Sequence, residues 1–587
     1  PRERDYALVG SFYVFCIFIG ISVLFFLEKL KRYLKKTFSV YPIILVLMIV
    51  PLIMAYENWD DHDRSERYTA QSLAKAYLNS IKEGADSMIF TIGDNDTFAL
   101  WYAQEIENYR TDVRTINTSL IATDWYIDQM KKRTYESSPI PSQLKHKQYA
   151  HGIRDYIKFE SLIDSVRWDI KDFMDWVASD HPRTKYKSLL TQYGADVDKI
   201  PQFTQNMVYY PTNKIRVSVN KENVLKSGIV SEKDKDLIID YIDIDLPKSG
   251  LYKNQMMMLD ILANNDWKRP IYFTGGSYND SEYIWMKDYL QLDGLVYKLV
   301  PIQTKISKEN PYELGRIDSE LMYNIVRGWE WGNAQSPDIY HDPETRKNSI
   351  SLRGNLHRLA EKLIEDGEYE KSEKILDLSL EKMPLEYFGF YSLVEPYIST
   401  YYRLGLFEKG DSLYKQLEKK YDQSLDYYSK LGLTENSQFS IYTFTDQIIT
   451  DTERFRTLVE SSLGSNDLEF KSNAIENFVS KTNFVKEIYG DYEYYTLLIP
   501  FLETTCKFKN SGFCLDLYSN ISNQLKERLE IFNEMNNDSK SEYIENIADG
   551  LFRFSTILNT AKQNKLSEDF IKNESIFLEK IKKELIR

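Results

Sequence analysis

Three cysteines, six histidines and no surplus of positive charge bound what this 587-residue chain can do. Cys16 lies inside an apolar run and only Cys506 and Cys514 could pair, so there is no disulfide framework, and two separate buried thiols are preferred to a bridge. The histidines are scattered and no spaced Cys/His set stands in the chain, which argues against a structural zinc site. No Ser/His/Asp arrangement and no HExxH motif supports a hydrolase. With 74 Lys and Arg against 88 Asp and Glu, the formal charge is −14 and the basic footprint of nucleic-acid binding is missing.

Long apolar runs are confined to the amino terminus. Residues 6–27 carry only Ser11 and Ser22 as strongly polar interruptions, and at about 1.5 Å per residue they reach roughly 33 Å, enough for a bilayer core. Residues 38–56 form a shorter run with Pro42 and Pro51; membrane helices tolerate proline, so both runs read as spans. A signal peptide is the alternative for the first, but it has no small-residue cleavage site and a second apolar run follows. Lys29, Lys31, Arg32, Lys35 and Lys36 concentrate positive charge between the runs, which puts that loop in the cytoplasm. Everything from about Glu57 onward is therefore expected outside the cytoplasm, in the periplasm of a cell with two membranes. The chain opens on Pro1 rather than methionine, so further sequence is expected ahead of it.

Beyond the apolar runs the pattern alternates. Ala70, Leu73, Ala74, Tyr77, Leu78 and Ile81 recur at helical spacing, with Gly84 placed to end the helix. Residues 87–92 read as a buried strand and 97–109 as a helix with Asp96 as its N-cap. Residues 113–117 read as a second strand, followed by a helix capped by Thr123 or Asp124. A polar insertion over 136–213 is predicted to hold one helix at 157–176. Strands at 214–219 and 237–244, a helix at 253–264, a strand at 271–274 and a final pair, helix 283–291 and strand 295–300, complete the series. Such alternation predicts βαβ units: an α/β, Rossmann-like, mainly parallel sheet covered by helices.

The expected organisation is thus two transmembrane helices over 1–56, an α/β domain over 57–305, a linker over 306–350 and an all-α domain over 351–587. In the last of these, Gly367-Glu368-Tyr369-Glu370-Lys371 recurs as Gly405-Leu406-Phe407-Glu408-Lys409, each glycine between two helical segments. That pattern is similar to a tetratricopeptide helix–turn–helix repeat, a surface for partners rather than for chemistry. Further helices are expected at 473–489, 519–534 and 542–559.

PRERDY ahead of the first apolar run, NWDDHDRSERYTAQSLAKAYLNS, GDNDTFALWYAQE, and the TDVRTIN and TDWYIDQMKKR segments together resemble the carboxyl-terminal half of large bacterial membrane proteins bearing the domain called DUF2723. The resemblance runs from Pro1 to about Pro301. It implies a GT-C-like glycosyltransferase related to protein O-mannosyltransferases, placed in the bacterial inner membrane. It also implies a lipid-linked phosphosugar donor and a catalytic acid in an outward loop near the first membrane helices. The two runs here correspond to the last spans, so the residues of glycosyl transfer are expected outside this chain and no catalytic residue is assigned. Membrane lipid is an expected partner, and a protein acceptor or envelope partner is expected at the helical repeats. A non-enzymatic envelope scaffold is the competing reading.

Three clusters stand out as candidate ligand sites. Asp94, Asn95 and Asp96 lie where a strand's carboxyl end meets a helix, a ligand position in open α/β sheets. Asp94 and Asp96 also have the DxD form by which GT-A enzymes hold a divalent metal, although a capped turn accounts for the same residues. Asp60, Asp61, His62, Asp63 and Arg64 follow the second apolar run and could engage a donor phosphate or an acceptor. The alternative has Asp63 capping a helix while Arg64 and Arg67 pair with neighbours. Asp124 and Trp125 form the third cluster, against an N-cap and a core tryptophan. Gly275-Gly276-Ser277 could present N–H groups to an anion, though a simple turn is preferred.

Overall fold

A computed structural model describes residues 5–33, 41–163, 165–275, 279–308, 313–432, 444–489 and 568–585, with isolated helical positions between 519 and 562. Its contacts separate residues 1–68 with 336–342 from residues 69–335 with 343–587. The α/β and carboxyl-terminal helical parts thus fall in one compact unit.

In the first unit, α1 (Asp5–Tyr33) and α2 (Tyr41–Glu57) carry the apolar runs. Among the described residues only the Leu8–Tyr33 stretch of α1 is long and apolar enough to cross a membrane. Phe12, Phe15, Phe18, Leu24 and Phe26 are exposed around it, an all-round apolarity compatible with a membrane helix. Helix α2 has 17 residues and contains Pro51; at about 1.5 Å per residue it reaches only about 26 Å, short of a bilayer core of about 30 Å. Lys35 and Lys36 lie outside the described residues.

The second unit begins with α3 (Thr69–Asn79), whose Ala74, Ala76 and Leu78 are buried. The main sheet is built from β1 (Met88–Thr91), β2 (Arg114–Asn117), β9 (Ile271–Thr274), β10 (Leu290–Asp293) and β11 (Val296–Leu299), in the order β10-β11-β9-β1-β2. Strand β1 pairs in parallel with both β2 and β9. Strands β10 and β11 form an antiparallel hairpin on β9. The sheet is therefore mixed rather than mainly parallel. The expected helix at 283–291 is replaced by two short 3₁₀ turns and β10, because Leu290, Gln291, Leu292 and Asp293 pair residue by residue with β11. Gly294 closes this hairpin at φ +62°, where a Cβ would stand 2.7 Å from the Trp329 ring; only glycine fits such a turn without strain.

Both faces of β1 are covered, which accounts for its unbroken apolar run. Ile89 packs with Ala74, Leu78, Leu100 and Tyr272. Met88 and Phe90 face the larger core, where Phe90 stacks on Phe273 at 5.6 Å. Helix α4 (Asp94–Trp101) runs on into a π-helical turn, Tyr102–Ile106. Helix α5 (Asp124–Met130) follows β2.

Between β2 and β9, β3 (Tyr156–Phe159), β4 (Trp168–Asp169) and β5 (Tyr209–Tyr210) of the insertion join β6 (Lys214–Ser218), β7 (Tyr241–Asp245) and β8 (Leu251–Tyr252) in two three-stranded sheets. The helix expected over 157–176 starts only at Ile170, as α6 (Ile170–Ala178). Trp168 and Asp169 pair with Ile215 and Arg216 instead, and the Asp169 carboxylate caps α6 by accepting from the Lys171 N–H at 2.9 Å. Helix α7 (Lys253–Asn265) then leads to β9.

Helices α8 (Ser319–Arg327), α9 (Pro343–Glu365), α10 (Tyr369–Lys382), α11 (Glu395–Arg403), α12 (Phe407–Gly432), α13 (Thr445–Ser462), α14 (Leu468–Tyr489) and α15 (Glu568–Leu585) follow. Gly367 at φ +79° joins α9 to α10, and Gly405 at φ +75° joins α11 to α12; both glycines supply the left-handed turn at a helix end. Asn355 on α9 donates to the Gly294 carbonyl at 3.0 Å, and Arg358 to that of Gly315 at 2.9 Å, so α9 lies against the sheet's hairpin. Cys506, Cys514 and most of the helices expected at 519–534 and 542–559 lie outside the described residues.

One buried acid in α7 should make stability depend on pH. Asp260 is fully buried; its Oδ1 accepts from Asn264 at 2.9 Å, while Oδ2 has no partner. Burial pushes its pKa up to about 6. The fold therefore holds a proton that the unfolded chain releases, so stability is highest below the ordinary Asp range and falls as pH rises through about 6. Asp260→Asn is expected to stabilise the protein at neutral pH by up to about 3 kcal/mol and to flatten its profile between pH 4 and 6. Thermal melts of both proteins across that window check this; parallel profiles refute it.

Candidate functional site

The sequence returns from β2 to β9 across β1, so the carboxyl ends of β1 and β9 border the point where strand order reverses. The acidic turn stands at that point. Gly93 is the N-cap of α4 and Asp96 its third residue, so Asp96 reaches back rather than capping as the sequence predicts. Its Oδ1 accepts the N–H groups of Gly93 at 2.9 Å and Thr97 at 3.0 Å. Oδ2 accepts the N–H of Ile92 at 3.0 Å and the hydroxyl of Thr274, on β9, at 2.6 Å. Four donors occupy the four lone-pair sites of this carboxylate, and a metal would have to displace some of them. Asp94 and Asn95 are exposed in the first helical turn.

Beneath the turn, Asn117 donates to the Thr97 hydroxyl at 2.9 Å, and the Thr91 and Thr97 hydroxyls lie 2.7 Å apart. Burial, with Asp96 as a lesser cause, pushes the Tyr77 hydroxyl's pKa up. A Cβ on Gly275 would stand 2.8 Å from the Tyr297 ring. Gly276 and Ser277 lie outside the described residues.

In the first unit, Trp59–His62 forms one helical turn. The side chains of Asp60 and Asp61 lie outside the described residues. His62 Nδ1 is 2.9 Å from the Asn58 carbonyl. Asp63 accepts the Ser65 hydroxyl at 2.6 Å and its N–H at 2.9 Å, which holds this carboxyl below the usual Asp range. It caps that turn and not a helix, since α3 starts at Thr69. The Arg64 guanidinium lies 4.1 Å from the centroid of the Tyr340 ring, and Arg67 pairs with Asp342 at 2.7 Å. These two contacts fasten 336–342 to the stretch after α2.

Asp124 is the first residue of α5, after Thr123 as N-cap. It accepts the N–H of His151 at 3.1 Å and that of Trp125 at 2.8 Å, which keep it below the usual Asp range. Trp125 is not the core residue its sequence context suggests: it is 51% exposed, with its edge against Tyr126 at 5.6 Å. It forms a wall of two clefts. One, of about 710 Å³, includes Trp101, Glu105, Gln129, Arg133 and Tyr135; the other, of about 580 Å³, includes Asp124, His151, Tyr252 and Asn254.

The sequence reading missed the larger cleft. Its floor is Arg114, 3% exposed, which donates to the carbonyls of Lys132, Ser137 and Ser138 and to the Thr134 hydroxyl. An arginine in a buried strand is the signal that could have found it, because such a cation must be surrounded by acceptors. Among the described residues, no three His, Cys, Asp or Glu side chains gather as a metal site.

Residues 70–321 match the family described as TMEM260-associated domain 2. That stretch contains all eleven strands of the described residues, the acidic turn and Trp125. No curated protein and no solved structure matches the chain.

Proposed function

We propose that this chain is the membrane-anchored, acceptor-handling part of a GT-C-like glycosyltransferase of the DUF2723 family. The complete protein transfers a hexose from a polyprenyl-phosphate sugar to a protein hydroxyl, with the α/β part on the outer face of the bacterial inner membrane. The observation that carries this reading is the match of the α/β part to TMEM260-associated domain 2, following a helix of membrane length. In this reading α2 is the second span, and the helix pairs about Gly367 and Gly405 are divergent repeats that receive the acceptor or an envelope partner. Those same helix pairs favour the second reading, a non-enzymatic envelope scaffold. A lipid-linked donor and a divalent metal, if one is used, would be engaged by the complete protein.

The test is glycoproteomics of envelope proteins from cells carrying, lacking and re-supplied with the protein. A defined set of proteins is expected to lose hexose when it is absent and regain it on re-supply. An unchanged set rejects glycosyl transfer and leaves the scaffold.

A further inference from the structure

We propose that the Trp125 surface binds an uncharged saccharide, one sugar ring stacking on the exposed indole while the flanking clefts hydrogen-bond its hydroxyls. The placing of that sugar on an acceptor rests on the glycosyl-transfer reading; the binding itself rests on the geometry.

The shape of the wall comes first. An exposed tryptophan standing between two concavities offers an apolar plate with polar groups on either side. Its ring is held in place through Tyr126, which is buried and accepts the Asn117 N–H at 3.0 Å. Sugars present a flat C–H face ringed by hydroxyls, which matches a plate bordered by Asp124, Gln129, Asn254 and Glu105.

Charge is the second observation. Each buried or half-buried charge lining the clefts is already engaged. Arg114 spends its donors on carbonyls. Lys253, 3% exposed as a side chain, meets Asp155 at 2.5 Å and the carbonyl oxygens of Tyr149 at 2.8 Å and Ala150 at 3.2 Å. The Asp124 carboxylate faces two backbone N–H groups. Lys132 and Arg133 line the larger cleft but stand exposed, where water solvates them; a phosphate would find no uncommitted buried cation here and an amine no uncommitted buried carboxylate, so a neutral ligand with many hydroxyls fits best.

Local backbone irregularity is the third. The π-helical turn Tyr102–Ile106 carries Glu105 into the larger cleft. Across from it Tyr135 is held at φ +50°, its hydroxyl donating to Glu105 at 2.7 Å. A π-turn and a left-handed tyrosine each cost stability, and such costs collect at functional surfaces.

The experiment uses the full chain in detergent with three probes, the linear hexaoses of mannose, glucose and N-acetylglucosamine, and decaproline as a peptide that also stacks on tryptophan. Binding is read by calorimetry and intrinsic fluorescence. At least one hexaose is expected to bind, Trp125→Ala to weaken it about tenfold or more, and Trp125→Phe to fall between. Because Trp125 is exposed, both variants should melt like the parent. Three results overturn the inference: no hexaose binds, Trp125→Ala binds as well as the parent, or decaproline alone binds. No saccharide binding by the parent while hexose transfer in cells is intact sinks this site and spares the transferase. Saccharide binding without transfer does the reverse.

Discussion

Asp293→Ala should destabilise the protein more than any other single change considered, by about 3–5 kcal/mol, because it strands a buried ammonium. Lys298 Nζ lies 2.8 Å from Asp293 Oδ2 across the β10–β11 hairpin, with side chains 5% and 3% exposed. Gln291 completes the pair by donating to Asp293 Oδ1 at 2.9 Å. Burial alone would lower the Lys298 pKa, yet it stands above the ordinary lysine value because Asp293, with Tyr272, opposes that effect. In the parent, while Asp293 is ionised, the lysine's contribution is full below the ordinary lysine range and is lost as pH rises above it. In Asp293→Ala the sign reverses: the ammonium loses its partner, its pKa falls below the ordinary value, and the defect eases as pH rises. Denaturation of the full chain in detergent, followed by tryptophan fluorescence, reads this because Trp329 borders the hairpin turn at Gly294. Asp293→Leu combined with Lys298→Met should recover most of the loss, since two apolar side chains leave no charge to satisfy. A single variant as stable as the parent would mean that the pair is not buried as described.

How far the fold could be read from the chain depended on whether local pattern and tertiary pairing agreed. Helix α3, β1, β2, α7 and β9 fall where periodicity put them, because each buries its own apolar stripe. Strand β11 also falls near its expected place, but β10 does not: 290–291 reads as a helix end, and only pairing with β11 makes Leu290 to Asp293 a strand. The insertion failed for the same reason: Trp168-Asp169 stands inside the helix expected over 157–176, yet Ile215-Arg216 claims it as a strand. In the site, residue type was legible and orientation was not. Trp125 was singled out beside Asp124, but a tryptophan one residue into a helix can face the core or the solvent with the same neighbours in sequence. The larger cleft beside it is lined by Glu105, Gln129 and Tyr135, two of them placed by the π-turn and a left-handed backbone, neither of which has a pattern to read.

Asp96→Asn should cost nearly as much as Asp96→Ala, about 2–4 kcal/mol, and this near-equality separates the two readings of the acidic turn. Each carboxylate oxygen accepts two donors: the N–H groups of Gly93 and Thr97 on one side, the Ile92 N–H and the Thr274 hydroxyl on the other. An amide keeps one oxygen and turns an NH₂ toward a second donor set, so at least one N–H faces another N–H. Alanine removes the acceptor from all four donors, of which the Thr97 N–H keeps the Gly93 carbonyl at 3.3 Å, and the link from the β1 turn to β9 is weakened in both variants. Asp94 is different. It is exposed in the first helical turn, so Asp94→Asn gives up only a favourable charge at the helix amino terminus and should stay within about 0.5–1 kcal/mol of the parent. Melting of the three variants separates these cases. If Asp96→Asn melts like the parent, the four-donor arrangement is not what holds the turn, and the DxD metal reading regains Asp96. If instead Asp96→Asn is unstable while Asp94→Asn melts normally but abolishes hexose transfer in cells, Asp94 acts on a ligand without Asp96 as a second metal ligand. The dipeptide spacing that suggested a paired site would then reflect one residue that builds the crevice and one that faces into solvent beside it.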